Sequence, residues 1–390
     1  MSFETEILTD IAILLAVASV ITFLFYKLKQ PLVIGYLISG IIVGPYLLPF
    51  VVLTHTDVIS VFADIGIILL LFAVGLEFPL RRLRALGKVV LGVAALEITF
   101  TIIASWLIGM FLQWSLFDKL FLGAALASSS TTIVAKVLTD LGKIKQIPAQ
   151  IMLGMLVTED VFVVLLLAAL QNLAITQSIS LGALLILLLK LAVFVGGTLG
   201  LGSFIIPRII NSTTEKTSHE VLYVALIGLA FVFAIIGAVL GFSVATGAFL
   251  IGVVVAESRI TEKISEEFSH LRHMFEAIFF VSMGALMDVT QLTSYWLLAV
   301  IVILTLIFAK MGSSMIGIRL FGYNNQVARE VAFGMAQVGE FAFIVGKAGQ
   351  DLGAISTFLL PIIGVAAIVT SIITPYFLKF AYKTSQTNHK

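Results

Sequence analysis

The run Met152-Leu-Gly-Met-Leu-Val-Thr-Glu-Asp-Val-Phe-Val-Val-Leu-Leu-Leu167 is apolar except near its middle, where Thr158, Glu159 and Asp160 interrupt it. Read with its flanks, it is a helix able to cross a bilayer. Insertion scales put one acidic group at the bilayer centre at about 2.5–3.5 kcal/mol, so two in succession cost several. A fold that keeps this pair must supply a buried cationic partner, a bound cation or a proton. Neighbouring helix positions point about 100° apart, so Glu159 and Asp160 do not share one environment. One can face a fixed partner while the other faces a water-filled cavity.

Composition fixes the setting. The chain has 390 residues, 60% of them apolar and 12% charged, with a mean hydropathy of +1.15. That is an all-α polytopic membrane protein in contact with lipid. A net charge of +1 gives no handle for nucleic acid. The absence of cysteine excludes disulfides, thiol catalysis and thiolate metal sites. The acidic start, Met1-Ser-Phe-Glu-Thr-Glu6, lacks the basic region and cleavage motif of a signal peptide, so the first apolar run is read as a membrane helix. No Walker motif, dinucleotide glycine pattern, zinc-ligand spacing or catalytic triad appears. The sequence therefore carries no case for ATP-driven transport, a cofactor or an enzyme.

Apolar segments between short polar loops predict thirteen spans, at 6–27, 31–48, 57–78, 87–112, 116–138, 148–171, 179–208, 219–238, 242–257, 267–287, 293–320, 327–349 and 356–379. Loop charges test that count. The loops after the odd-numbered spans hold Lys27, Lys29, Arg81, Arg82, Arg84, Lys88, Lys143, Lys145, Arg208, Lys216, Arg259, Lys263, Arg272, Arg319 and Arg329, and the tail adds Lys379, Lys383 and Lys390. The other face has Lys119 alone. The positive-inside rule then puts the N-terminus outside and the C-terminus in the cytoplasm, with the chain in the cell membrane.

The chain also resembles itself. Residues 37–44 and 71–78 parallel residues 249–256 and 280–287, both at an offset of about 210 residues and seven spans. An odd number of spans inverts the second copy relative to the first. The same offset pairs Ala127-Ser-Ser-Ser-Thr-Thr132, a polar interruption in span five, with Met335-Ala-Gln-Val-Gly-Glu340 in span twelve. Paired interruptions of this kind point to broken helices lining a binding site, where unwound backbone is tolerated because it faces a cavity. The alternative for the hydroxyl run is back-bonding onto an unbroken helix.

Among the remaining intramembrane charges, Lys310 lies deep in span eleven and is read as the countercharge of Glu159, with Glu340 the other acid within its reach. Glu97 and Asp64 are read as packing or funnel groups, and with Thr158 and Gln337 they are secondary candidates. Lys136 is read as snorkelling, Lys190 as snorkelling or facing a cavity, and Lys347 as interfacial. His219, His270 and His273 fall among Glu220, Glu262, Glu266 and Glu267, a solvated charged loop or, more sharply, a pH-sensing cluster.

An acidic pair in a membrane helix, a hydroxyl-interrupted helix just before it, a buried lysine five spans on and Gly339-Glu-Phe-Ala-Phe-Ile-Val345 together resemble the Kef/Nap-type, sodium/hydrogen exchanger-like monovalent cation:proton antiporters. The resemblance covers nearly the whole chain. It implies inverted repeats with two crossed discontinuous helices, a homodimer, a core at about 57–171 and 267–349, and a scaffold at about 1–48, 179–257 and 356–379. By that likeness Asp160 binds cation or proton, Glu159 neighbours it paired with Lys310, Ser130, Thr131 and Thr132 line the first break, and Glu340 the second. Sodium-type members usually carry Asp-Asp at the pair and Kef-type members Gln-Asp; this chain has Glu-Asp. Kef-type members often end in a soluble nucleotide-binding domain, which the short tail here is not expected to provide. The function implied is exchange of Na⁺ or K⁺ for H⁺ by alternating access. A channel or uniporter on the same scaffold and a non-transporting sensor are the alternatives, and the sequence leaves the cation and the stoichiometry open.

Overall fold

The computed structural model describes residues 3–28, 30–47, 53, 55–77, 87–176, 181–214, 219–258 and 261–387. Lys29, Arg81, Arg82, Arg84, Lys216, Arg259 and Lys390 lie outside them, as do the side chains of His219, Glu262, Lys263, Glu266, Glu267 and His270. The described residues contain helices and no strands. In chain order these are α1 (Phe3–Lys27), α2 (Leu32–Val43), α3 (Thr56–Leu76), α4 (Lys88–Phe111), α5 (Leu116–Leu126), α6 (Thr131–Asp140), α7 (Ile147–Thr176), α8 (Leu181–Gly197), α9 (Ser203–Thr214), α10 (His219–Val239), α11 (Val244–Val255), α12 (Thr261–Leu286), α13 (Leu292–Leu320), α14 (Asn325–Met335), α15 (Phe341–Asp351) and α16 (Leu359–Thr387). Eight stretches are long and apolar enough to cross a membrane, counting α5 and α6 together, and three shorter apolar helices accompany them.

Close contacts group the chain into two units. The first comprises 1–24, 35–85 and 164–287, and the second 25–34, 86–163 and 288–390. α3 and α12 thus fall in the first unit and α16 in the second, a grouping by contact that differs from the core and scaffold segments expected from sequence. The physical reason is backbone proximity. A Cβ on Gly66 of α3 would lie 3.0 Å from the Phe279 nitrogen of α12, too close for a side chain, so the two helices pack backbone to backbone. α16 packs on α13, α14 and α15 instead. In the first unit His273 is exposed on α12 and lies 3.4 Å from the buried Glu276.

The second unit has two stretches of like design, each a long helix, a broken helix and a further helix: α4, α5–α6 and the first part of α7 to residue 163, and α13, α14–α15, α16. Its apolar core includes Val93, Val134, Met152, Met155, Leu156, Ile318, Val331, Met335 and Leu378. α4 and α13 are sorted by face. On α4 the exposed side chains include Phe100, Ile103 and Leu107, while Glu97, Thr101 and Ser105, at i, i+4 and i+8, are buried. On α13 Leu304, Phe308 and Ile316 are exposed, and Lys310, Ser313 and Ser314 are buried. Apolar outside and polar inside is the arrangement a lipid solvent selects.

Candidate ion-binding site

The site begins where two helices stop. α5 ends at Leu126, and Ser130 caps α6 by accepting a hydrogen bond from the Ile133 N–H. α14 ends at Met335 and α15 starts at Phe341. Peptide groups left over at a helix end need partners in an apolar interior, and here the two breaks supply each other. The Gly339 N–H donates to the Ser128 carbonyl at 2.9 Å. The Ser130 N–H donates to Gln337 Oε1 at 2.9 Å, and Gln337 Nε2 donates to the Ser130 carbonyl at 3.3 Å. The Val338 N–H reaches the Thr370 hydroxyl of α16 at 3.1 Å. Glycine is required at 339, because a Cβ there would sit 2.5 Å from the Ser129 carbonyl carbon and oxygen.

Lys310 joins both breaks. Its side chain is fully buried, and its Nζ donates to Ser129 Oγ at 2.5 Å and to the Ser128 and Gln337 carbonyls, each at 3.3 Å. Those carbonyls follow the C-terminal ends of α5 and α14, where helix dipoles favour a positive charge. Two carboxylates complete the set. Glu97 Oε1 lies 3.3 Å from Nζ and Glu159 Oε2 lies 3.5 Å from it, all three side chains being fully buried. Ser314, one turn beyond Lys310, donates its hydroxyl to Glu97 Oε2 at 2.5 Å. Glu97, read from sequence as a packing or funnel group, therefore stands beside Lys310.

Asp160 is 4% exposed and accepts a hydrogen bond from Thr131 Oγ1 at 3.3 Å. It thus lies beside the first turn of α6, next to the Lys310 cluster but on another face of α7. Ser130 is buried, Thr131 half-buried and Thr132 exposed. Thr158 back-bonds to the Gly154 carbonyl at 2.9 Å. Glu340 is half-buried just ahead of α15, and Asp64 is on α3 in the other unit. Lys136 and Lys190 are exposed. Lys347 is buried, 4% exposed, and pairs with Asp351 at 2.7 Å, one helix turn away at the end of α15. The signal that could have found Glu97 is the Glu97, Thr101, Ser105 stripe on a helix otherwise apolar.

Residues 13–383 match the family described as sodium/hydrogen exchanger, transmembrane. The chain belongs to this family. Sodium/hydrogen exchanger relatives include the Na⁺/H⁺-K⁺ antiporter GerN of Bacillus cereus, 28% identical over 380 residues and covering 97% of both chains. The putative cation/proton antiporter YbaL of Escherichia coli is 29% identical over 96% of this chain and 68% of its own. The fold is that of the sodium proton antiporter MjNhaP1 from Methanocaldococcus jannaschii, with a TM-score of 0.74 over 97% of this chain and 99% of that one, at 18% identity. These relatives are transporters rather than enzymes, and the chain is a multi-pass membrane protein of the monovalent cation:proton antiporter class.

Proposed function

We propose that this protein exchanges a monovalent cation, Na⁺ or K⁺, for protons by alternating access, with cation and proton competing for Asp160. The observation that carries the reading is the buried Asp160 carboxylate at the first of two helix breaks that are bonded to each other, next in sequence to a second carboxylate that lies against a lysine. A carboxylate in an apolar interior is costly when bare, so it crosses only when a cation or a proton occupies it. Competition then couples the two flows. A low-pH side loads protons and expels the cation, and the other side does the reverse. Asp160 and Thr131, with Glu159 joining when released from Lys310, offer hard oxygen ligands suited to Na⁺ or K⁺.

The eight long spans, the three shorter ones, α12 and the α14–α15 pair are taken in this reading as thirteen crossings. In this reading the two broken helices cross in the second unit, which carries the ion, and the first unit is the scaffold of a homodimer. The N-terminus is outside and the C-terminus cytoplasmic. The names of the relatives support exchange of Na⁺ or K⁺ for H⁺ as the chemistry. The test is reconstitution into sealed vesicles holding a pH dye, challenged with Na⁺ and K⁺ in turn. An antiporter gives cation-driven proton movement at a fixed ratio. Flux without a fixed ratio would mean a channel, and no flux a non-transporting sensor.

A further inference from the structure

The geometry points to Glu97 as a positioning residue that sets how tightly Lys310 holds Glu159, and through it the affinity of the site for the transported cation. This rests on the proposed reading of Glu159 and Asp160 as the carboxylates that meet the cation. Lys310 Nζ stands between two acids at nearly equal distances, 3.3 Å from Glu97 and 3.5 Å from Glu159. Two carboxylates around one ammonium repel each other, so each is held less firmly than it would be in a lone pair. What separates them is Ser314. It binds the second oxygen of Glu97 at 2.5 Å, and it lies one turn from Lys310 on α13. Glu97 is thus tied to α13 at two points, whereas Glu159 shares α7 with Asp160; both contacts to Nζ, at 3.3 and 3.5 Å, are longer than the usual hydrogen bond, so the Ser314 hydroxyl is the difference between them.

The consequence is a division of labour. When Glu159 turns from Lys310 toward a cation at Asp160, the ammonium would become an uncompensated buried charge, a severe penalty in this setting. Glu97 stays and neutralises it. Lys310 can then keep its bonds to the Ser128 and Gln337 carbonyls, which hold both breaks, while Glu159 is released. Without the charge on Glu97, Lys310 and Glu159 become a closed pair, and a cation must break it to recruit Glu159.

The experiment measures the thermal unfolding of the purified full chain against rising Na⁺ or K⁺, with choline holding ionic strength constant. A cation that binds the native state raises the unfolding temperature in a concentration-dependent way. In Glu97→Gln the cation concentration giving half the stabilisation should rise about tenfold or more, given couplings typical of close charge pairs. Glu97→Asp keeps the charge on a shorter arm and should rise less. In choline alone Glu97→Gln should unfold no earlier than wild type, because a neutral Lys310–Glu159 pair remains. An unchanged half-saturation in Glu97→Gln, or a variant that unfolds early or does not fold, would overturn the inference and leave Glu97 as a plain structural partner. Absence of any stabilisation by Na⁺ or K⁺ in the wild type would overturn it together with the cation site. Loss of exchange in vesicles with stabilisation intact would overturn antiport alone and leave the role of Glu97 standing.

Discussion

Gln337 binds both peptide groups of Ser130, accepting from its N–H at 2.9 Å and donating to its carbonyl at 3.3 Å, across 207 residues of sequence. One side-chain amide thus does for an unwound segment what a neighbouring strand does in a sheet. With the Gly339–Ser128 bond, it makes the two breaks a single structural object. Neither break could persist in an apolar interior by itself, since each would expose bare peptide groups.

Replacing Gln337 by leucine keeps the volume and strands the Ser130 N–H, while the Ser130 carbonyl keeps the Val134 N–H at 3.4 Å. An unsatisfied buried donor costs about 1–3 kcal/mol, so the variant should lose about that much stability in denaturant or thermal unfolding. Gln337→Glu keeps the acceptor for the Ser130 N–H and should fall between. Wild-type stability in Gln337→Leu would show that the clasp contributes nothing.

Gly339→Ala and Gly312→Ala make a matched comparison. A Cβ at 339 meets the Ser129 carbonyl at 2.5 Å, whereas one at 312 on α13 meets nothing within 4 Å. Overpacking typically costs about 1–3 kcal/mol, while alanine in an open helical position stabilises by about 0.5–1 kcal/mol. Thermal unfolding should therefore move in opposite directions in the two variants. Equal shifts would mean that the breaks are not in close backbone contact.

Much of this was legible in the chain. Six consecutive small or hydroxyl residues from Ala127 to Thr132, and a glutamine between Gly334 and Gly339, mark the breaks because polar residues have no other business in an apolar span. The Lys310–Glu159 contact follows from the cost of leaving either charge alone. Glu97 was ranked low because a single acid in one helix does not say which helix its partner is on, and Ser314, which holds it, lies 217 residues away. Ser130, Thr131 and Thr132 differ in burial because Ser130 is the extended N-cap of α6 and neighbouring helix positions after it turn by about 100°. The grouping of helices by contact is hidden in the sequence for a similar reason. Gly66 marks a close approach to Phe279 only once both helices are in place, and in sequence it is one glycine among many.

Lys310→Ala removes the shared countercharge and leaves Glu97 and Glu159 buried together. Breaking a buried pair typically costs about 3–5 kcal/mol, and the unfolding temperature should fall clearly. Adding Glu159→Gln should restore part of that loss, so the double-mutant cycle should show a coupling of about 0.5–3 kcal/mol. Strictly additive losses would mean that the two residues do not interact in the folded protein.

The central claim is that Asp160 is the carboxylate for which cation and proton compete, and one comparison tests it most directly. Wild type and Asp160→Asn are reconstituted side by side in sealed vesicles with a trapped pH dye, after their unfolding temperatures show both to be folded. Addition of the preferred cation, Na⁺ or K⁺, should drive proton movement out of the cation-loaded compartment's opposite side in the wild type and none above background in the variant. The amide still coordinates weakly but cannot take up and release a proton in this range, so coupled exchange has no carrier. Cation-driven proton flux in Asp160→Asn at the wild-type rate would contradict the account.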